Sequence, residues 1–273
     1  MLDPVLFHFI EKLTVPSTDD GKLFIHTERR DRITESLRIS PYTGWGDFPL
    51  ASLYRHRDYR EERPAILLST HIDSVYHRYY CLCYDKEIHG TFDNSVTNAI
   101  ALYLMLQNRL HPQVLVAFTG NEEHDSRGAS QIMEFLRQPD FLFVNMEMVI
   151  TMDLTGEYFE KAGFTIENMY IKRNPPFSRL TFSNRREMKE YFRRLCREDA
   201  IHCLPDAEPD ESWTYKQYDV NGFSFCLPGG LIGRSMHSGK GVRILSSAAA
   251  RYTAALESFT GALLDQLINN PIR

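Results

Sequence analysis

The chain begins and ends with a helical pattern of apolar side chains. Asp3 followed by Pro4 is typical of a helix N-cap and first turn, and residues 247–267 continue such a pattern over a longer stretch. We therefore predict a helix at each end of the sequence. The first apolar side chains recur three and four positions apart, as on one face of a helix, at Leu2, Val5, Leu6, Phe9, Ile10 and Leu13.

Between these helices, short apolar runs alternate with helical patterns. The runs at residues 65–71, 113–120 and 148–154 are almost continuously apolar, which is typical of strands buried on both faces of a largely parallel sheet. Helical patterns at residues 96–110 and 126–137 separate them. Strands that alternate with helices indicate βαβ units. We therefore predict an α/β fold with a mixed, mostly parallel sheet sandwiched between helices.

The pattern is weaker in the rest of the chain, especially between residues 155 and 228. No repeat, low-complexity tract or linker interrupts the sequence, so we expect residues 1–273 to form a single domain. The elements predicted from these shorter patterns are strands at 23–26, 50–54, 169–172 and 223–227, helices at 33–37 and 186–198, and a polar loop at 205–212.

Charge and composition exclude several classes of protein. The net charge is −5 and basic stretches are interrupted by Asp or Glu, whereas a nucleic-acid binder would concentrate basic charge. No apolar run approaches the ~18 residues of a membrane span, and the first residues lack the features of a signal peptide. The five cysteines match no common disulfide framework. We therefore expect reduced thiols, a cytoplasmic protein, and no nucleic-acid or membrane partner.

Ionisable side chains stand where the predicted strands end. Open α/β sheets bind ligands at the carboxyl ends of their strands, so we expect these side chains to converge on one edge of the sheet. They are His71 and Asp73 after the first apolar run, Asp93 at the start of the next helix, Glu122 and Glu123 after the second run, Asp153 at the end of the third, and His237 after the strand at 223–227.

Two histidines with several carboxylates form a ligand set that zinc accepts. Two neighbouring metal ions need a bridge, and a carboxylate can bind one ion with each oxygen. A carboxylate left unligated can take a proton from the bridging water, and the adjacent Glu122 and Glu123 can divide these two tasks. Alternate residues of a strand share a face, so Asp73 can hold the second ring nitrogen of His71.

These residues lie in motifs that resemble the zinc exopeptidase superfamily of co-catalytic aminopeptidases, glutamate carboxypeptidases and N-acyl amino acid deacylases. The resemblance extends from about Leu68 to His237 and implies a zinc-aminopeptidase-like, phosphorylase/hydrolase-like fold with two divalent metal ions, for which we expect zinc. The motifs, in chain order, are STHIDSV, TFDN, FTGNEEHDSRGA, TMDLTGE and GRSMHSG.

The resemblance also implies a role for each residue. Glu122 would be the general base acting on a metal-bridging water, and Asp73 would orient His71. In this family the peptide bond between the residues that match Asp93 and Asn94 is often cis. The implied ligands are His71 and Asp153 for one metal ion and Glu123 and His237 for the other, with Asp93 bridging both.

The spacing of the motifs narrows the resemblance. His71 and Asp93 are too close for the domain inserted there in the large tetrahedral aminopeptidases, and Asp153 and His237 are too close for the lid or dimerisation domain of the carboxypeptidases and deacylases. The chain therefore most resembles the compact, single-domain aminopeptidases. Two departures bear on substrate preference and metal affinity. No Gly follows the bridging Asp, and Ser-Gly-Lys-Gly follows His237 where many relatives have an acidic residue three places on.

The resemblance implies a hydrolase that cleaves an amide bond next to a free terminus, and we expect an aminopeptidase. Glu157, Asp210 and Glu211 are candidates to receive the α-ammonium group of a peptide substrate, although solvated loop carboxylates are the simpler interpretation. One alternative is a deacylase of N-acyl amino acids, or a carboxypeptidase, on the same site. It would need a basic residue such as Arg234 for the substrate carboxylate. Another is a non-catalytic binding protein on a peptidase scaffold, which would have lost a ligand or the base. The sequence does not indicate the oligomeric state.

Overall fold

The computed structural model of the protein describes residues 2–16, 26–76, 78–138, 145–173, 179–204 and 207–269. It confirms the helices expected at both ends, and Asp3 accepts hydrogen bonds from the backbone N–H groups of Val5 and Leu6 as an N-cap does. The helices within these ranges are α1 Pro4–Leu13, α2 Thr27–Leu37, α3 Ser95–Leu106, α4 Arg127–Leu136, α5 Arg185–Cys196, α6 Glu211–Lys216 and α7 Ser246–Asn269.

Two sheets account for the strands of the described residues. The larger is eight-stranded, in the order β1-β2-β6-β3-β7-β10-β8-β9, and the smaller is four-stranded, in the order β11-β12-β5-β4, with these numbers running along the chain. The strands are β1 Tyr42–Phe48, β2 Ala51–His56, β3 Ala65–His71, β4 Cys81–Cys83, β5 Glu87–Gly90, β6 Val114–Thr119, β7 Met146–Thr155, β8 Phe164–Tyr170, β9 Ile201–Leu204, β10 Gly222–Pro228, β11 Gly230–Leu231 and β12 Val242–Leu245.

The centre of the large sheet is parallel, as the three apolar runs predicted. The strands β6, β3, β7 and β10 pair in parallel, while β1, β2 and β8 add antiparallel pairs toward the two edges. Every residue of β3 is buried, and so is every residue of β6. The predicted fold class, a mixed and mostly parallel sheet covered by helices, is confirmed.

Helices cover both faces of this sheet. Alternate residues of β3 belong to different cores, because successive side chains of a strand point to opposite faces. Ile66 and Leu68 pack in the core formed with α1, α2, α3, α5 and α7. Leu67 packs in the core formed with α4 and α6. Both apolar faces of the central strands are thereby removed from water, which explains their nearly continuous apolar sequence.

The small antiparallel sheet was not anticipated. Its strand β5 ends three residues before Asp93, while β11 and β12 flank the loop that carries His237. Val242 of β12 pairs with Gly90 of β5. A side chain at Gly241 would meet the carbonyl oxygen of Gly90, and the φ angle of Gly241 is +64°, so glycine permits this close approach. This sheet brings the segments of Asp93 and His237 together.

Two of the shorter predictions need correction. Of the strand expected at 169–172, only residues 169–170 are in a strand; they end β8, which begins at Phe164 and runs antiparallel to β10. The loop expected at 205–212 gives way to α6 at Glu211, and its residues 205–206 are not among those described. The strand expected at 23–26 falls almost wholly on residues outside the described ranges.

All five cysteines carry free thiols. The reducing, cytoplasmic location expected from their number stays a prediction. Within the described part of the chain, none of the helices has the length and apolar character needed to cross a membrane.

A buried cation joins α1 and α2 to the central sheet. The Arg29 side chain is fully buried, and it donates to the carbonyl of Leu13 at 3.0 Å and to that of Ile72 at 2.9 Å. Burial lowers the pKa of Arg29 to about 10, so it remains charged at neutral pH. Because Ile72 lies between His71 and Asp73, Arg29 supports the backbone next to both residues.

We expect Arg29→Met to lower the free energy of unfolding by roughly 2–5 kcal/mol, because two buried carbonyl groups would lose their donor. Urea unfolding measures this change. Arg38→Met is the matched control, since Arg38 is exposed at the end of the same helix. Equal stability losses in the two variants would contradict a structural role for the buried guanidinium.

Candidate active site

The four parallel strands end at one edge of the large sheet, and the ionisable side chains singled out in the sequence meet there. His71 is the last residue of β3, and Asp153 lies near the end of β7. Glu122 and Glu123 lie in a turn three residues beyond β6. His237 reaches the same edge from the loop between β11 and β12. This is the edge at which open α/β sheets bind ligands.

Asp93 stands between the two histidines. Its Oδ1 lies 3.3 Å from Nε2 of His71, and its Oδ2 lies 2.9 Å from Nε2 of His237. The peptide bond between Asp93 and Asn94 is cis. Each oxygen of this one carboxylate therefore faces a different imidazole, which is the arrangement that a bridging ligand requires.

Donor atoms around Asp93 fall into overlapping groups whose members lie within 4.8 Å of one another. One group contains His71, Asp93 and Asp153, and another contains Asp93, Glu123 and His237. Imidazole nitrogens with carboxylate oxygens suit zinc. The Oε1 atom of Glu123 is buried without a hydrogen-bond partner among the described residues, which fits a metal-facing ligand. A third group joins His71 to both Glu122 and Glu123, so proximity alone does not divide the roles of this pair.

Asp73 is buried beside both His71 and the turn that carries Glu122 and Glu123. Its Oδ1 is 3.3 Å from Nδ1 of His71. Its Oδ2 accepts a hydrogen bond of 3.1 Å from the backbone N–H of Glu123. The Asp73 side chain is only 2% exposed, so burial restricts its motion. One carboxylate therefore contacts both the His71 ring and the turn that carries the two glutamates.

Two buried amides also hold this edge, and the sequence interpretation missed them. Asn94 donates to the carbonyl of Met152 at 2.8 Å, and Asn98 donates to the carbonyl of His71 at 2.8 Å. Both side chains are fully buried. Their signal was available, because two Asn residues stand four positions apart at the N-cap and in the first turn of a helix whose remainder is mostly apolar. They fix the start of α3 against the ends of β7 and β3.

Burial and neighbouring charges shift the pKa values of the side chains at this edge. Burial raises the pKa of Glu122 to about 9 and that of Glu123 to about 7. Burial disfavours charged His71, but Glu122 and the other carboxylates outweigh it and hold the pKa of His71 well above its usual range. The hydrogen bond with Asp93 raises the pKa of His237 to about 9. These carboxylates are fully ionised together only when additional positive charge is close to them.

The edge opens into a cleft of about 1000 Å³, which we call the acidic cleft. No Lys or Arg lines it among the residues that the structure describes, whereas the imidazoles of His71, His124 and His237 do. The chemistry of this lining therefore favours cations, either metal ions or ammonium groups. Its eight acidic residues are Asp93, Glu122, Glu123, Asp153, Glu157, Glu167, Glu208 and Asp210.

The four candidates for substrate binding occupy different places. Glu157 and Asp210 line the acidic cleft, as their assignment requires. Arg234 lines a separate hollow on the other side of His237. Glu167 and Glu208 also line the cleft and were missed. Glu167 was missed because the antiparallel position of β8 beside β10 could not be read from the sequence.

Glu211 does not fit its assignment and requires a correction. It is neither a solvated loop residue nor part of the cleft lining, because it begins α6 and is only 1% exposed. Its Oε2 accepts a hydrogen bond of 2.7 Å from Ser69, whose hydroxyl also contacts that of Tyr215 at 2.7 Å. Glu211 thus anchors α6 beneath the sheet.

Comparison with known proteins gives a family and a fold. The sequence model of Peptidase family M28 matches residues 54–223, which is more than half of the chain. No curated protein sequence matches it. Among solved structures, aminopeptidase APDkam598 from the archaeon Desulfurococcus kamchatkensis has a TM-score of 0.69 at 11% identity, covering 98% of this chain and 99% of its own.

Two further solved structures have a similar fold at similarly low sequence identity. The Pyrococcus horikoshii TET1 peptidase, which can assemble into a tetrahedron, has a TM-score of 0.66 at 12% identity, covering 93% of this chain and 99% of its own. A Thermotoga maritima protein named endoglucanase has a TM-score of 0.61 at 11% sequence identity, covering 95% of this chain and 99% of its own. At these identities the likeness shows the fold alone. The motif spacing had suggested that this chain differs from the large tetrahedral aminopeptidases. The likeness of fold does not separate the two.

The buried carboxyl of Glu211 generates a prediction about stability and pH. Burial raises its pKa to about 7, above the ordinary value of about 4.3. The folded chain therefore binds this proton more tightly than the unfolded chain. The resulting stabilisation is complete below about pH 4.5 and is lost as the pH rises through about 7.

We expect Glu211→Gln to be more stable than the unmodified protein by about 2–3 kcal/mol near pH 8.5, and to differ little from it near pH 5. Urea unfolding at both pH values, at a fixed zinc concentration, measures the difference. Glu134→Gln, at an exposed position of α4, is the matched control. A Glu211→Gln variant with no advantage at the higher pH would refute the buried, protonated state.

Proposed function

Because the chain belongs to peptidase family M28, we propose that it is a di-zinc aminopeptidase that cleaves the peptide bond next to a free amino terminus. One observation carries the proposal: the acidic cleft combines a carboxylate aimed at two imidazoles with a lining that has no described Lys or Arg. Such a cleft attracts metal cations and a substrate ammonium group, and it repels a carboxylate. The fold shared with an archaeal aminopeptidase agrees with this proposal.

The metal ligands follow from the two donor groups that share Asp93. Asp153 Oδ1 lies 3.6 Å from Nε2 of His71, which supports His71 and Asp153 as ligands of one ion. Glu123 Oε1 lies 3.7 Å from Nε2 of His237, which supports these two as ligands of the other. Asp93 would contribute one oxygen to each ion. Asp73 would keep His71 in the required orientation, since ligating histidines are commonly fixed by a carboxylate at the second ring nitrogen.

Glu122 is the carboxylate that this assignment leaves unligated. When bound, two zinc ions polarise the scissile carbonyl and lower the pKa of a water molecule toward ~7. Glu122 takes the proton of the attacking water and returns it to the leaving amine. Its Oε2 stands 4.0 Å from Nε2 of His71, so it borders the ligands closely enough to reach a water held among them.

The free amino group of the substrate has acidic partners in the same cleft. Glu157 and Asp210 both line it. Asp210 also caps α6, because its Oδ1 accepts a hydrogen bond of 2.9 Å from the backbone N–H of Ser212. The cap therefore fixes the position of Asp210 in the lining of the cleft. We assign Glu157 and Asp210 to the substrate α-ammonium group.

The alternatives identified in the sequence fit this cleft less well. A deacylase or carboxypeptidase could place its substrate carboxylate against Arg234, in the hollow beside the cleft, but its blocked substrate would bring no ammonium group to the acidic lining. A non-catalytic binding protein would have lost a ligand or the base. The five proposed ligands and Glu122 are all present and converge, so nothing in the site favours that alternative.

The direction of cleavage tests the proposal. Acetylating the amino terminus of a peptide should abolish hydrolysis by the zinc-loaded protein, because the acidic cleft would lose its ammonium partner. Amidating the carboxyl terminus should leave the peptide cleavable. The measurement is kcat/KM for matched peptides with and without each blocking group. Faster hydrolysis of N-acyl amino acids than of free peptides would instead establish the deacylase.

Two amide variants separate the general base from the metal ligand. Glu122→Gln cannot accept a proton, so we expect kcat to fall by about 10²–10⁴-fold while the protein still binds two zinc ions. Glu123→Gln places a neutral, weaker donor beside the metal, so we expect lower zinc affinity and partial recovery of activity at high zinc. Zinc stoichiometry is measured beside kcat for both variants.

The matched control for this pair is Glu134→Gln, an amide replacement at an exposed position of α4. It should retain both the activity and the zinc content of the unmodified protein. If Glu122→Gln were the variant that loses metal, the roles of the two glutamates would be reversed.

A further inference from the structure

A second hollow of about 730 Å³ adjoins the acidic cleft and has the opposite charge. We call it the basic hollow, and its charged lining consists of Arg78, Arg234 and Lys240. No acidic residue lines it within the described part of the chain. His237 belongs to the lining of both cavities, so the proposed metal ligand forms their shared wall.

The loop that carries His237 also holds two of these cations. It is closed by a hydrogen bond of 3.2 Å from the backbone N–H of Ile232 to the carbonyl of Gly241. Tyr76 donates to the carbonyl of Met236 at 2.7 Å, and Tyr80 donates to that of Lys240. The positions of Arg234 and Lys240 relative to His237 are therefore set by a closed and anchored loop.

No carboxylate of the described residues forms an ion pair with the three cations of the basic hollow. Arg78, Arg234 and Lys240 are exposed, and none forms an ion pair with the residues that the structure describes. Arg243, on the neighbouring strand β12, shows the contrast, because Glu87 and Glu160 lie 3.8 and 3.2 Å from its guanidinium group. The positive charge of the hollow is thus available to an anionic ligand.

We propose that the basic hollow binds the C-terminal carboxylate of a short peptide whose amino end occupies the acidic cleft. This inference rests on the proposed aminopeptidase function and adds a preference for substrate length. A short peptide carries an ammonium group at one end and a carboxylate at the other, matching the opposite charges on the two sides of His237. His237 lines both cavities and an extended residue spans only ~3.5 Å, so a dipeptide or slightly longer peptide is the substrate whose two ends would occupy adjoining cavities.

Three matched substrates test the inference, each beginning with the residue that the protein releases fastest, written X. They are X-Ala with a free carboxylate, X-Ala amide, and X-Glu amide, whose only carboxylate is on a side chain. We expect kcat/KM for X-Ala to exceed that for X-Ala amide by about two- to five-fold per cation contacted, as for exposed ion pairs. The difference should reside in KM and shrink in high salt.

Variants connect this ratio to the hollow. When Arg78→Gln, Arg234→Gln and Lys240→Gln are combined, the ratio of kcat/KM for X-Ala to that for X-Ala amide should fall to about one. Arg38→Gln, at an exposed site on α2, is the control and should keep the ratio of the unmodified protein. Zinc content and thermal unfolding of each variant verify that folding and metal binding are intact.

Each outcome supports or overturns a specific statement. Equal turnover of X-Ala and X-Ala amide by the unmodified protein would overturn the inference and leave the aminopeptidase proposal standing. X-Glu amide matching X-Ala would show that the hollow binds a side-chain carboxylate instead of the C-terminal one, which also overturns it. If no peptide with a free amino group were hydrolysed, the proposed function would fail and this inference with it.

Discussion

Repulsion between like charges at the carboxyl edge of the sheet is the constraint on which the rest of this structure depends. Asp93, Glu123 and Asp153 converge with the imidazoles of the buried His71 and the half-exposed His237. Carboxylates that approach one another away from water do not remain ionised without compensating positive charge. Burial raises the pKa of Glu123 to about 7, whereas the imidazoles of His237 and His71 lower the pKa of Asp93 despite its burial. The architecture around the edge serves to hold these groups together against that repulsion.

Buried polar and charged groups supply much of this restraint. Asp73 contacts the His71 ring and accepts a hydrogen bond from the backbone of Glu123. The amide of Asn98 binds the carbonyl of His71, and Arg29 binds the neighbouring carbonyl of Ile72. These contacts act on the backbone of β3 and the segment after it. A site of this kind keeps its geometry because its supporting hydrogen bonds are buried, where they are costly to break.

His237 lines two cavities whose other charged residues have opposite signs. On one side lies a cleft lined by carboxylates, and on the other a hollow lined by Arg78, Arg234 and Lys240. Opposite charges on two sides of one centre orient a dipolar ligand before any close contact forms. In the proposed enzyme, this field would distinguish the two ends of a short peptide. The narrow boundary between the two regions is set by one anchored loop.

The sequence by itself determined the parallel core of the fold and the identity of the residues that converge. Continuous apolar runs such as Ala65–His71 predict buried parallel strands because both of their faces are covered, and ionisable residues at strand ends then meet at one edge. The ordered motifs added an expected role for each residue, and those roles stay predictions. The buried amides Asn94 and Asn98 were also readable from their spacing, although they were missed.

Only the tertiary structure decided which other residues join the site. Glu211 was expected in a solvated loop, yet it begins α6 beneath the sheet, while Glu167 lines the cleft from β8. The small sheet that brings Asp93 and His237 together has strands of two to four residues. Strands this short carry too little periodicity to be recognised, and their pairing depends on contacts between residues far apart in the chain. Local pattern specifies which segments must be buried, whereas long-range packing determines which side chains face one another across a cleft.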